Sequence, residues 1–105
     1  MAVSRGTNAT FDTRLDGDTA LITVTGEFDL AEIEPFRREF RGALEGSTSV
    51  GLDMAGVRFI DSSGLRAMLQ CRADAEEAGK KLRLVDSSAV VARLLDLTSL
   101  TDAFA

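Results

Sequence analysis

The side chains of this chain best placed to do chemistry lie in Asp61-Ser62-Ser63-Gly64-Leu65, a carboxylate followed by two hydroxyls. They stand where the apolar run Val57-Arg58-Phe59-Ile60 gives way to helical spacing at Leu65, Met68 and Leu69. Both hydroxyls are therefore expected at a helix N-terminus. A serine so placed can cap the helix, attack as a nucleophile or accept a phosphate.

Nucleophilic catalysis needs a base. The chain has no histidine, no Gly-x-Ser-x-Gly turn and no Ser-x-x-Lys pair, and Lys80 and Lys81 sit together at a helix end. No catalytic residue is assigned, and the chain reads as a non-enzyme. A metal site would have only Asp29, Asp53 and Asp61 to draw on, and hard cations usually need more oxygen donors. No Gly-x-x-x-x-Gly-Lys loop is present to hold a nucleotide. No metal or cofactor is expected. Two roles stay open: a helix cap, which contributes about 1 kcal/mol and needs one serine, and a phosphate acceptor, since free N–H groups at a helix start suit a dianion.

The elements that position this stretch follow from periodicity. Residues Met1 to Ala9 show none and read as a frayed lead-in to a single domain over 10–105. Thr10 to Leu15 is a short edge strand, and Asp16-Gly17-Asp18 turns the chain into the strand Ala20 to Thr25, ended by Gly26. Ala31 to Leu44 carries Ile33, Phe36, Phe40 and Leu44 at helical spacing, with Pro35 in the first turn and Asp29 as candidate cap. Val50 to Met54 is a strand, Ala55-Gly56 a bend, and Val57 to Ile60 leads into the serines. Leu65 to Ala78 is a helix with a small-residue stripe that includes Cys71, closed by Gly79. Leu82 to Val85 is a strand, and Ser87 or Ser88 caps a last helix carrying Val91, Leu94 and Leu95. Strand and helix alternate after an opening hairpin. The fold class is α/β: a mixed, mostly parallel sheet of four to five strands, with amphipathic helices mainly on one face.

Composition narrows the partners. A net charge of −5 and a pI near 4.6 argue against nucleic acid, which requires clustered cations. No run of about 18 apolar residues marks a membrane span, and no apolar leader opens the chain, so a cytoplasmic protein is expected. The single cysteine excludes a disulfide framework.

The run Val57 to Leu65, preceded by Val50-Gly51-Leu52-Asp53-Met54, resembles the signature of bacterial anti-sigma-factor antagonists, which are STAS domains. Thr25-Gly26-Glu27-Phe28-Asp29-Leu30, Gly79 to Val85 and Val91 to Leu100 resemble further segments of that family. The resemblance spans about Thr10 to Phe104, although family members usually continue past the equivalent of Phe104 with another element. It implies a STAS-like fold and a phosphorylation site at Ser62, the first serine of the pair. It also implies a partner surface at Asp29, Asp61, Ser62, Ser63, Gly64 and Leu65. The implied partners are an anti-sigma factor that is also a serine kinase, bound by the unphosphorylated form so that the sigma factor is released, and a phosphatase that resets the cycle. A different STAS role, as a structural or regulatory subunit of a membrane transport complex, is the alternative.

Overall fold

The computed structural model describes the backbone of residues 2–5 and 8–105 and the side chains of 8–105. Its sheet has the order β1-β2-β3-β4-β5, with β1 Ala2–Arg5, β2 Ala9–Asp16, β3 Thr19–Phe28, β4 Ser49–Ile60 and β5 Lys81–Ser87. β1–β2 and β2–β3 are antiparallel, while β3–β4 and β4–β5 are parallel. The helices are α1 Ile33–Glu45, α2 Ser62–Glu77 and α3 Ala89–Leu97, with short 3₁₀ turns at Leu30–Glu32 and Thr101–Phe104.

The alternation of β3 decides where the core lies. Ala20, Ile22, Val24 and Phe28 are buried, while Leu21, Thr23 and Thr25 between them are only half covered. All buried apolar residues join one cluster, in which Phe36 and Phe40 of α1 and Met68, Cys71 and Ala75 of α2 meet β3 and β4. Phe28 and Phe36 pack edge to face at 4.9 Å between ring centroids. Two consecutive crossovers progress in one direction along the sheet, which puts α1 and α2 on one face. The expected α/β fold is thus the observed one, with α1 and α2 sharing a face of the sheet.

Three boundaries differ from the sequence reading. Within the lead-in expected over residues 1–9, Met1, Gly6 and Thr7 lie outside the described residues, and Ala2–Arg5 pairs with Thr10–Thr13 as β1. Backbone pairing to a neighbouring edge needs no side-chain periodicity, and β2 is consequently an inner strand. The bend at Ala55-Gly56 is absorbed into β4 by register shifts against β3 between Thr23 and Thr25 and between Gly26 and Glu27. Gly26 does not end β3 but passes through it at φ +96°, where a Cβ would lie 2.3 Å from the Asn8 carbonyl oxygen. Only glycine fits there.

Candidate functional site

β3 and β4 end side by side. Phe28 and Ile60 are their last paired residues, and Asp29 and Asp61 follow them directly. Both aspartates leave the sheet in the same extended conformation, φ −111°, ψ −170° at Asp29 and φ −122°, ψ −172° at Asp61. Asp29 Oδ1 accepts from the Ala31 N–H at 3.1 Å. Asp61 Oδ1 accepts from the N–H groups of Ser63 at 3.0 Å and Gly64 at 3.2 Å. Ligand sites in open α/β sheets favour this end of parallel strands.

The cap of α2 is therefore Asp61, and neither serine serves as one. A role for Ser63 in supporting the helix start is confined to its backbone N–H, because the carboxylate two residues earlier already holds the cap. Ser62 is the first helical residue and is exposed, and Ser63 is half-buried. Among the described residues neither hydroxyl takes part in a hydrogen bond. The donors expected to greet a phosphate are also partly spent, since Asp61 holds two of them and its carbonyl accepts the Leu65 N–H at 3.1 Å. A group added to Ser62 Oγ must project into solvent.

Gly64 and Leu65, expected on the partner surface, are buried. A Cβ on Gly64 would lie 2.8 Å from the Phe28 carbonyl oxygen and 2.9 Å from Ile60 Cγ1. Glycine thus lets the first turn of α2 settle over the ends of both strands, which brings the Asp29 and Asp61 junctions together. Leu65 extends into the core below. Both shape the site from beneath.

Three features escaped the sequence reading. Leu30 stands 73% exposed directly after Asp29, and Phe59 stands 47% exposed two residues before Asp61, so apolar surface flanks Ser62. Arg66 lies one helical turn after Ser62, is exposed, and has no ion pair among the described residues. Glu32 is fully buried and accepts from the N–H groups of Asn8 at 3.0 Å and Ala9 at 3.2 Å, tying the first junction to β2. An apolar residue next to a cap, in a position where helices begin polar, was the available signal for Leu30.

Elsewhere, burial pushes the Cys71 thiol up to about 12, which leaves it protonated and inert near neutrality. Among the described residues no three metal-ligating side chains gather into a cluster. Among the described residues no helix is long and apolar enough to cross a membrane.

A family model described as "Mlab, STAS domain" matches residues 11–104. The chain belongs to the STAS-domain family. Solved structures agree with this STAS domain in fold. The anti-sigma factor antagonist SpoIIAA in its unphosphorylated form is similar at 22% identity and TM-score 0.75, over 88% of this chain and 83% of that one. An anti-sigma factor antagonist from Mycobacterium paratuberculosis gives 19% and 0.76, over 91% and 82%. SLC26A9 gives 20% and 0.70, over 82% of this chain but 17% of that much longer one.

Proposed function

We propose that this STAS domain is a non-enzymatic anti-sigma-factor antagonist of the bacterial cytoplasm, switched by phosphorylation of Ser62. Unphosphorylated, it binds an anti-sigma factor that is also a serine kinase, and so releases the sigma factor. That kinase places a phosphate on Ser62 and the complex dissociates; a serine phosphatase restores the free hydroxyl. The observation that carries this reading is an exposed Ser62 hydroxyl without a hydrogen bond, on a helix start that Asp61 caps unaided.

The electrostatics favour an off-switch. A phosphoserine carries about −1.5 to −2 charges at pH 7, and Asp61 beside it is fixed by its two N–H bonds and cannot turn away. Arg66, one helical turn along and exposed, is the cation placed to meet the phosphate, whereas Arg58, equally near in sequence, is paired with Glu27. Docking of Leu30 and Phe59 against a partner would have to dehydrate this charged group. Like charges brought together at an interface cost several kcal/mol, and each 1.4 kcal/mol is a tenfold loss of affinity.

Incubation with ATP and a kinase anti-sigma factor from the same genome should add one phosphate, placed on Ser62 by mass spectrometry. No modification, or modification of Ser63 alone, overturns the reading. The similarity to a short part of SLC26A9 favours a second one, a STAS regulatory piece of a membrane transport assembly. Neighbouring genes separate the two: a serine kinase and sigma factor, or transport components.

A further inference from the structure

The sheet ends at β5, which pairs with β4 alone. Among the described residues, no backbone group outside the sheet takes up the outward amides and carbonyls of Leu82 to Asp86. That edge opens onto a cleft of about 290 Å³, lined by Arg72 and Glu76 of α2, Lys81, Leu82 and Arg83 of β5, Ala103 of the last turn, and Ala105. The chain is acidic overall, yet three of its 12 cationic side chains line this one cleft. Glu76 is the single carboxylate side chain among those residues, and it sits 3.4 Å from Arg72 at an exposed position. An exposed pair of this kind is weakly coupled. Lys81 and Arg83 have no ion pair among the described residues.

Unpaired edges invite another strand, and cations on an edge turn away a second copy of the same edge. Self-pairing of β5 would set Lys81 and Arg83 against their own copies. A strand of opposite charge meets no such barrier. Along β5, Lys81, Arg83 and Val85 alternate on one face, and Val85 is 56% exposed, so two cations are followed by an apolar foothold.

We propose that the outer edge of β5 is a docking strip for an extended acidic segment of a partner protein, which adds to the sheet as a sixth strand. Backbone pairing would supply the attachment, and acidic side chains facing Lys81 and Arg83 the selectivity. This strip is separate from Ser62: Lys81 is level with Ser49 at the start of β4, whereas Ser62 follows the end of β4.

An acetylated hexapeptide alternating glutamate and valine, titrated into ¹⁵N-labelled full-length protein, tests the proposal. The expected result is amide shifts confined to β5 and the facing side of α2, with slowed exchange of outward β5 amides. A lysine–valine peptide should bind at least tenfold more weakly. The Lys81→Glu, Arg83→Glu double variant should invert that preference, and since inversion requires gained binding, it cannot arise from misfolding. Ser62→Asp should leave the affinity unchanged. Equal binding of both peptides, shifts on another face, or equally effective competition by inorganic phosphate or a short RNA would each overturn the docking strip without bearing on Ser62.

Discussion

Two strand-to-helix junctions lie side by side in this STAS domain, and they share a backbone while differing in what they carry. Asp29-Leu30-Ala31-Glu32 and Asp61-Ser62-Ser63-Gly64 both begin with an aspartate that leaves a parallel strand in the same extended conformation and caps the turn ahead. One residue on, both expose a side chain, Leu30 at the first and Ser62 at the second. Three residues on, both bury a residue: Glu32 reaches back to β2, whereas Gly64 contributes only its lack of a side chain. Local geometry is therefore common property. The difference resides in single residues on it, an exposed apolar side chain beside one strand and an exposed hydroxyl beside the other.

The largest effects are expected at the exposed position. Ser62→Asp should weaken binding to the kinase partner at least a hundredfold, about 3 kcal/mol, with the melting temperature unchanged. Leu30→Asp should weaken it by roughly tenfold in the same calorimetric titration, as one flanking contact is lost. Equal losses would mean that general acidity, and not the Ser62 position, sets the response.

At the buried position the effects move from binding to stability. Gly64→Ala should destabilise by about 2–3 kcal/mol through overpacking against the Phe28 carbonyl and Ile60. Glu32→Ala should cost about 2 kcal/mol by leaving two amides without an acceptor. Urea unfolding measures both, and a neutral Gly64→Ala would refute the close approach of α2 to β3.

The caps themselves should differ less. Asp61→Ala is expected to cost about 1.5 kcal/mol and Asp29→Ala about 0.5 kcal/mol, since the first loses two N–H bonds at a 16-residue helix and the second one at a three-residue turn. The reverse order in thermal melts would contradict the assignment. The smallest change is Leu30→Ser, within about 0.5 kcal/mol of the parent. Kinase treatment should leave the new hydroxyl unmodified; a phosphate there would show that cap geometry alone is what the kinase reads.

Much of this architecture was legible from periodicity. The run Val57–Ile60 placed the end of β4 correctly, the helical spacing from Leu65 marked α2 three residues after its start at Ser62, and Ser88 as cap of α3 was one of two residues anticipated. The identity of the α2 cap was not legible, because Asp and Ser are equally good caps and a one-residue shift exchanges them. β1 was invisible for a different reason: an outer strand is held by backbone bonds, and its side chains need carry no alternation. The burial of Glu32 was not legible, since nothing local reveals that Asn8 and Ala9 bring their amides to it. The burial of Gly64 and Leu65 likewise depends on the strand ends beneath them, 36 residues apart in the chain for Phe28 and Gly64.

Because Asp61 alone secures the start of α2, the proposed mark on Ser62 would be written onto a scaffold indifferent to it. Such a switch has no moving parts. Marked and unmarked molecules would share one backbone, so that no refolding step would delay the response and no stored strain would bias the population toward either form. The fraction of active molecules would then follow the ratio of writing to erasing rates directly, as a graded dial instead of a latch.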